Sequence, residues 1–445
     1  MLVSALSVVL GLLVLGVLVF VHELGHFLAA KSFGVKVLAF SLGFGNPILK
    51  KTWKGTEYRI SSIPFGGYVK MAGENPEEPR SGEPGDFTSK PVWQRAIVAV
   101  AGPAANFVTA ILMLWVVYMW GIDKPLYYDR PVIGAVSDSS AARNAGLMAG
   151  DSVISINDKV VKSWEDIETA FAQQEQEYSF KYFRGGDQGT AVLQMDNSSG
   201  ALPKNPTGGV LPPLPAIVAD VNKGSPAAEA GMKSGDTVVS IDGQKIHSWF
   251  QLMEIVSKNN AETPLLFQVK RGGDFVSMEM TPEFDKETKR YLIGIRVSEG
   301  EARKVRYMPA VAMQKGLDKS WEYTTMIFDV IGKLVSQKVS ANNLSGPLGI
   351  IPASGFMALQ GLSPILNFMA LIGINLAVLN LLPLVITDGG LLLFLILEAI
   401  RRKPLQVKTQ MVINKIAILF FLMLFLFVTF NDVKRLPDYF RLFGK

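Results

Sequence analysis

The protein has 445 residues, of which 49% are apolar, and its mean hydropathy is +0.26. A soluble globular protein rarely has this balance, so we expect membrane-spanning segments. Cysteine is absent from the sequence, which excludes disulfides and thiolate ligands, so nitrogen and oxygen atoms must hold any transition metal. The net charge of +5 comes without a basic block that would indicate a nucleic-acid partner, and it fits basic loops beside anionic lipid.

Residues 1–30 are predicted to form the first transmembrane helix. Residues 2–21 carry no charge and number about 20, the length that crosses a hydrocarbon core of ~30 Å. A cleaved signal peptide is the alternative, but the segment lacks a basic leading region and a small-residue cleavage site. The helix runs into the sequence VHELGH, in which His22 and His26 are four residues apart and share one helix face. We expect both imidazoles to bind one Zn²⁺ ion and Glu23 to act as the catalytic base.

Residues 31–95 are predicted to be a cytoplasmic β-rich region, with strands at 37–44, 58–63 and 68–71. The segment has ten Lys or Arg residues against six acids, and positive loops stay in the cytoplasm. An edge of this sheet could pair with an extended substrate near the metal, or the region could be a structural cover. Residues 96–121 follow as the second span, in which Asn106 is the only strongly polar residue.

The middle of the sequence, residues 126–300, contains an internal repeat. Residues 138–164 align without gaps with residues 223–249, an offset of 85 that pairs Gly146 with Gly231 and Trp164 with Trp249. Each copy has a short helix start, a Gly-x-x-x-Gly-Asp turn and an alternating strand. This pattern resembles the PDZ domain, which binds extended peptides or free C-termini at a sheet edge, and it predicts PDZ domains at 126–208 and 209–300. Spacers with blocked grooves are the alternative.

Residues 301–362 are predicted to be amphipathic helices and a linker. Between 311 and 338, apolar residues recur at helical spacing. They are Met313, Leu317, Trp321, Phe328, Ile331 and Val335. We expect this helix to lie on the outer membrane surface or on the second PDZ domain.

Residues 363–400 are predicted to be the third span, which contains Asp388 in the sequence LLPLVITDGGLLLF. Zinc needs a third protein ligand and leaves a fourth position for water, and Asp388 is the only acid within the uninterrupted apolar stretch 368–397 of this span. Both zinc-bearing spans enter from outside, so Asp388 should reach the depth of His22 after about twenty residues. An acid that caps a helix terminus is the alternative.

The same span contains candidate substrate contacts. A substrate helix must unwind before cleavage, and the amides of Asn375 and Asn380 could hold its freed backbone. Pro383 breaks helix regularity where the unwound strand would need room. For Asn380, helix packing is the alternative role.

Residues 401–410 are predicted to form a basic cytoplasmic loop, residues 411–431 the fourth span and residues 432–445 a C-terminal tail. Four spans with positive inner loops put both termini and the middle region outside the cytoplasm. His247, the third histidine, is expected to be an ordinary exposed residue.

The sequence resembles the site-2 protease family of M50-type intramembrane zinc metalloproteases along its whole length. The resemblance is carried by VHELGHFLAAK, FSLGFG, PFGGYVKM, QRAIVAVAGPAANF, LSGPLGI and NLLPLVITDGG. It implies zinc held by His22, His26 and Asp388, with Glu23 catalytic. The expected fold is a polytopic α-helical membrane protein with four transmembrane helices, a membrane-associated β-hairpin region and two extramembrane PDZ domains.

The resemblance also implies substrate contacts at Asn380 and Pro383, and a membrane-reentrant hairpin at Gly43, Phe44 and Gly45. It implies a bacterial inner membrane location, with periplasmic PDZ domains that admit only substrates already trimmed by another protease. The expected substrates are a single-span anti-sigma factor, whose cleavage starts an envelope-stress response, and remnant signal peptides.

One local departure concerns the substrate contacts. The family pattern before the aspartate usually reads Pro-x-Leu-Asp-Gly, whereas Val385 and Thr387 stand at its first and third positions here. Two other functions compete with intramembrane proteolysis. One is a non-catalytic PDZ scaffold in the membrane, and the other is a membrane-anchored zinc protease that digests misfolded soluble proteins.

Overall fold

The protein folds into two compact units. The computed structural model describes residues 2–75, 82–172, 175–195, 207–259, 263–285, 290–336, 346–384 and 387–443. The helical unit comprises residues 1–122 and 305–445, and the middle unit comprises residues 123–304. Among these described residues, four helices of the helical unit are long and apolar enough to cross a membrane, namely Val8–Ser32, Val92–Trp120, Leu362–Leu381 and Val407–Lys434.

The helical unit begins with a helix, a folded strand pair and a second helix. These elements are α1 (Leu2–Ser32), β1 (Val37–Trp53), β2 (Thr56–Met71) and α2 (Val92–Trp120), with a short 3₁₀ turn at Phe87–Ser89. Residues 37–42 of β1 pair on one side with residues 57–60 and on the other with residues 67–71, and residues 47–53 pair with residues 56–61. The described part of the protein has no strand on the far side of residues 67–71, which therefore form an edge.

The middle unit contains the two copies of the repeat. Its first elements are β3 (Ile122–Pro125), a 3₁₀ turn (Leu126–Asp129), β4 (Ala135–Val136), α3 (Ala141–Asn144), β5 (Ser152–Ile156), β6 (Lys159–Val160), α4 (Trp164–Ala172), β7 (Glu177–Arg184), β8 (Asp187–Gln194) and β9 (Val210–Leu211). The others are β10 (Ile217–Val221), α5 (Pro226–Glu229), β11 (Thr237–Ile241), β12 (Gln244–Lys245), α6 (Trp249–Lys258), β13 (Leu265–Arg271), β14 (Asp274–Met280), β15 (Glu283–Asp285), β16 (Arg290–Leu292), β17 (Ile295–Ser298) and β18 (Ala302–Val305).

The two copies fold alike, element by element. The elements α3, β5 and α4 begin 85 residues before α5, β11 and α6, and each copy has a separate apolar core with a buried tryptophan, Trp164 or Trp249. The strand order is β6-β5-β7-β8 in the first copy and β14-β13-β11-β10-β17 in the second. Because β9 pairs with β4, the first copy extends to Leu211, three residues beyond the predicted boundary at residue 208.

The helical unit ends with five helices. They are α7 (Pro309–Val335), α8 (Pro347–Gln360), α9 (Leu362–Leu381), α10 (Asp388–Arg401) and α11 (Val407–Phe443). The predicted fourth span at 411–431 lies within α11, and the predicted tail from residue 432 continues the same helix. On α11, the buried Asp432 accepts hydrogen bonds from the backbone N–H groups of Gly346 and Gly349 at the start of α8.

The helix α7 packs within the helical unit. It lies against α2 and α9, where Tyr323 and Ile327 are buried in a cluster with residues of both helices. Gly316 and the buried Ser320 face the same way, and a Cβ at Gly316 would lie 3.3 Å from the backbone nitrogen of Trp115. Small residues let helices approach closely in this manner, whereas Leu317, Trp321 and Phe328 of the predicted apolar stripe remain exposed.

The predicted third span is two helices rather than one. The first, α9, ends at Leu381 and the second, α10, begins at Asp388. Pro383 lies in the break and has no N–H group to continue the helical ladder. The hydroxyl of Thr387 donates to the carbonyls of Leu382 and Leu384, which satisfies backbone groups that the break leaves open.

Candidate metal centre

The first half of the centre lies on α1. His22 and His26 are one helical turn apart, and their Nε2 atoms are 3.2 Å from each other. Gly25, between them, lets α2 approach, because a Cβ there would lie 2.2 Å from the carbonyl oxygen of Ala101. Gly102 on α2 is equally close, since its Cβ would lie 2.2 Å from Nε2 of His26. Both glycines are therefore required by the tight contact of the two helices around the histidines.

The second half of the centre is the first residue of α10. Oδ2 of Asp388 lies 3.2 Å from Nε2 of His22, and Oδ1 lies 3.4 Å from Nε2 of His26. The backbone reaches this position through a sharp return after α9. Gly389 permits the return, because a Cβ there would lie 2.1 Å from the carbonyl oxygen of Leu382. The break between α9 and α10 thus brings the carboxylate to the histidines.

The three side chains fit a tetrahedral metal ion. Each can offer one ligand atom, and these atoms lie within 4.8 Å of one another. Ligands about 2.0–2.1 Å from a tetrahedral zinc ion are separated by about 3.3–3.4 Å. The two Nε2 atoms are 3.2 Å apart, and each lies 3.2–3.4 Å from one of the two Asp388 oxygens, so the group has the size of such a site. Imidazole and carboxylate donors without a thiolate suit zinc, as they also suit other first-row transition metals.

The outer nitrogens of the two imidazoles support the same fit. Nδ1 of His26 lies 2.7 Å from the carbonyl oxygen of Val98, so it must carry the proton and donate. The inner Nε2 of His26 then presents a lone pair toward the centre. Lone pairs that converge on a carboxylate within 3.4 Å repel one another unless a cation lies between them.

His22 has a matching partner in Asn106 of α2. The amide nitrogen of Asn106 is placed 3.3 Å from Nδ1 of His22, and its buried Oδ1 has no hydrogen-bond partner. Amide nitrogen and oxygen are assigned from their hydrogen bonds, and exchanging them lets Oδ1 accept from Nδ1–H of His22. The exchange satisfies the orphaned oxygen and frees the Nε2 lone pair of His22 for a metal. Sequence reasoning did not assign Asn106 to the site, although its isolation in an apolar span was a signal.

Glu23 faces a cavity of about 210 Å³ beside the three ligand residues. The cavity is lined by His22, Glu23, His26, Gly67, Tyr68, Val69, Met71, Glu74, Val98, Ala99, Asp388 and Leu391. The backbone N–H of Val69 donates to the Glu23 carboxylate and orients it. A volume of this size holds several waters at about 30 Å³ each, so water can reach the ligand atoms.

Glu74 is a third acid in the lining of this cavity, after Glu23 and Asp388, and sequence reasoning did not identify it. Its Oε2 accepts from the backbone N–H of Met71 at 3.1 Å. The surrounding protein desolvates the carboxyl and raises the pKa of Glu74 above its usual value. No sequence pattern singled out Glu74, because its approach to the cavity depends on the turn after β2.

The predicted substrate residues are not among the residues that line the cavity. Asn375 and Asn380 are half-buried on α9, and Pro383 is exposed in the connection to α10. Gly43 and Gly45 flank Phe44 in β1, and the Phe44 ring stacks on Tyr68 with the ring centroids 6.1 Å apart. Phe44 therefore contacts Tyr68 of the cavity lining and does not line the cavity itself. Val385 lies outside the described residues.

The fold and this site define a class. Helices that can cross a membrane, one of which carries His-Glu-x-x-His opposite an aspartate, characterise a membrane metalloendopeptidase. The chain belongs to peptidase family M50, whose family model matches residues 10–424.

Relatives of the same length support this membership. The regulator of sigma E protease from Haemophilus influenzae is 33% identical over 442 residues, which span 96% of this chain and 98% of that protein. The regulator of sigma-E protease RseP from Escherichia coli is 33% identical over 450 residues, covering 95% and 97%. A protein of Pasteurella multocida with a zinc metalloprotease name is 35% identical over 445 residues, covering 96% and 98%.

A PDZ domain of an SdrC-like protein from Listeria monocytogenes matches 19% of this chain and 90% of its own, with 21% identity and a TM-score of 0.18.

Proposed function

We propose that the protein is a zinc-dependent intramembrane protease that cuts the transmembrane segment of single-span membrane proteins. The observation that carries the proposal is the convergence of His22, His26 and Asp388, with one ligand atom from each within 4.8 Å of the others, at the end of an apolar helix. Ionisable side chains in such a segment are costly and are retained for function.

A bound zinc ion would lower the pKa of water toward ~7 and polarise the scissile carbonyl. Glu23 takes the proton of the attacking water and delivers it to the leaving amine, which makes it the general base and then the general acid. The N–H of Val69 holds the Glu23 carboxylate toward the cavity for both steps. Asp388 would supply an oxygen ligand to the ion, and its place at the start of α10 ties that helix to the centre.

The substrate helix must unwind before cleavage, because its amides are bonded internally. Residues 67–71 form a sheet edge beside the cavity, and an extended substrate segment would pair along it. Because the N–H of Val69 donates to Glu23, a paired substrate segment would form its hydrogen bonds with the other residues of this edge. Asn375, Asn380 and Pro383 are assigned to the substrate's other side, where side-chain amides would hold its freed backbone groups.

The remaining elements are assigned to access and selection. The hairpin segment at Gly43, Phe44 and Gly45 would dip into the membrane, where the exposed Phe44 would contact lipid or substrate. The two copies of the middle unit are PDZ domains in this proposal, and they would lie in the periplasm together with both termini. Positive loops at 31–95 and 401–410 would keep the active site near the cytoplasmic side of a bacterial inner membrane.

The relatives' names suggest the physiological role. These names refer to the regulation of sigma E and no further. The substrates that we propose are a single-span anti-sigma factor and remnant signal peptides. The PDZ domains would bind peptides or C-termini and admit only substrates that another protease has trimmed.

The direct test is cleavage by purified full-length protein in lipid vesicles. A model single-span substrate should be cut within its transmembrane segment, with the bond located by mass spectrometry, and Glu23→Gln should abolish the cut. A scaffold without catalysis predicts no cut by the wild type. A protease for misfolded proteins predicts that an unfolded soluble protein is digested and the single-span substrate is spared.

A further inference from the structure

A bidentate ion pair joins α2 to α10 outside the metal cavity. Nη2 of Arg95 donates to Oε1 of Glu398 at 2.6 Å, and Nη1 donates to Oε2 at 3.2 Å. Nε of Arg95 donates to the carbonyl of Lys90 at 3.0 Å, which fixes the plane of the guanidinium. The Arg95 side chain is 11% exposed and that of Glu398 is 19% exposed, so water screens the pair only weakly.

Neither charge suits the helix that carries it. Arg95 is in the first turn of α2, where the helix dipole favours an anion, and Glu398 is in the last turn of α10, where the dipole favours a cation. Local helix stability therefore gives no reason for either residue. Each is compensated by the other, so the pair acts between the helices.

The helix α10 needs such a contact because it is separate from α9, which ends at Leu381. Residues 382–387 separate the two helices, and Asp388 is the first residue after them. Glu398 follows Asp388 by ten residues, about 15 Å along α10. On α2, the residue that accepts the hydrogen bond of His26 is Val98, one turn after Arg95. The same short segment of α2 thus holds His26 at one point and α10 at another.

We propose that Arg95 and Glu398 are positioning residues that hold α10 at the distance from α1 at which Asp388 completes the metal site. This inference rests on the proposed zinc site. If either partner is lost, the other is left as a buried unpaired charge, and α10 then moves to solvate it. Asp388 moves with α10, so loss of the ion pair would weaken metal binding. Neither Arg95 nor Glu398 is itself a metal ligand.

The test is zinc affinity of the purified full-length protein, measured by competition with a chromophoric chelator. Glu398→Gln is expected to weaken zinc binding about tenfold to a hundredfold, the range for residues that orient metal ligands from outside. Arg95→Lys is expected to weaken zinc binding by a similar factor, because an ammonium group cannot form the two parallel hydrogen bonds to Glu398. The exchanged pair Arg95→Glu with Glu398→Arg should bind zinc within about threefold of the wild type, since both charges then suit their helix dipoles.

Asp432→Asn is the matched control. It also replaces a buried carboxylate of the helical unit by an amide, but it acts on α8 and α11, which carry none of the ligand residues. Its zinc affinity should equal that of the wild type. A wild type without zinc would refute the proposed function itself. Wild-type zinc affinity in Glu398→Gln, or an exchanged pair that fails to fold or to bind zinc, would refute only the positioning role.

Discussion

His22 and His26 differ in what holds their outer ring nitrogens. His26 donates to the backbone carbonyl of Val98, which no side-chain substitution removes, whereas His22 faces the side-chain amide of Asn106. The orientation of His22 is therefore the one that a single mutation can release. Partners of this kind fix the tautomer and the direction of a ligating imidazole.

Asn106→Leu should lower zinc affinity about tenfold to a hundredfold, because it removes the acceptor of Nδ1–H and keeps a similar volume. Asn106→Asp keeps an acceptor oxygen and should bind zinc more tightly than the leucine variant. Chelator competition measures both. Asn367→Leu is the control, since Asn367 accepts from the Tyr323 hydroxyl elsewhere in the bundle. Equal zinc affinity in the Asn106→Leu variant and the wild type would refute the role of Asn106.

Gly102→Ala should abolish zinc binding and cleavage. The new Cβ would lie 2.2 Å from Nε2 of His26, so the imidazole must leave its position between α1 and α2. Gly332→Ala is the control, because no atom lies within 4 Å of its Cβ, and alanine should stabilise that helix by up to about 1 kcal/mol. Zinc content by atomic absorption compares the two. A Gly102→Ala protein with a full complement of zinc would contradict the observed packing.

The residues that sequence reasoning could identify are those whose chemistry shows in local spacing. His22, Glu23 and His26 share a motif, and Asp388 is a lone acid in an apolar segment. The isolation of Asn106 in an apolar span was a signal, but only the packing of α2 shows that it faces His22. Glu74 reaches the cavity through the turn after β2, which the sequence did not predict. Arg95 and Glu398 are 303 residues apart, so the sequence could not predict that they form an ion pair.

Among the elements, apolar composition predicted where helices occur better than how they pack. The predicted third span from 363 to 400 merged α9 and α10, because hydropathy does not register a six-residue break between two apolar helices. The interface of α7 was missed for a related reason. Its buried face includes Gly316, Ser320 and Tyr323, which a periodicity of large apolar residues does not register. Leu317, Trp321 and Phe328, which that periodicity selected, are exposed.

Each copy of the repeat has the same ion-paired turn. In the second copy the fully buried Asp236 accepts from Arg271 at 2.7 Å and from the backbone N–H of Lys233 at 2.8 Å. Asp151 pairs with Arg184 in the same way in the first copy. Burial alone would raise the pKa of Asp236, but the bonds from Arg271 and Lys233 outweigh it and hold that pKa below its usual value.

Asp236→Asn should destabilise the second copy by about 2–3 kcal/mol, because it leaves Arg271 without its partner. The folded-state pKa is depressed, so the stabilisation is present above the unfolded-state pKa of about 3.9. It is lost as pH falls through the folded-state value. Hydrogen exchange of residues 237–271 in the full-length protein should show opening from about pH 4 downward. The exposed Asp274→Asn variant should exchange like the wild type, and unchanged protection in Asp236→Asn would contradict the assignment.

On the scale of the whole molecule, the middle unit begins and ends at one place. The backbone N–H of Leu126 donates to the carbonyl of Glu301 at 2.9 Å, and β3 pairs with β18. A short linker can therefore replace most of the unit without stretching the remaining backbone. This closure makes the proposed selective role of the PDZ domains separable from catalysis.

Deleting residues 130–299 should leave a protein that still binds zinc and now cleaves untrimmed single-span substrates. The physical reason is that the helical unit holds all residues of the metal centre. Cleavage of trimmed and untrimmed forms of one substrate in vesicles measures the change, with Glu23→Gln in the deleted protein as the control. Unchanged preference for the trimmed form would contradict a filtering role.

Zinc stoichiometry of the purified wild type, Glu23→Gln and Asp388→Asn tests the central claim most directly. The account predicts one zinc per protein molecule in the wild type and in Glu23→Gln, because Glu23 is a base and not a ligand. It predicts loss of zinc in Asp388→Asn, since a neutral amide replaces the anionic ligand. A wild type without zinc, or an Asp388→Asn protein that holds zinc as tightly as the wild type, would contradict it.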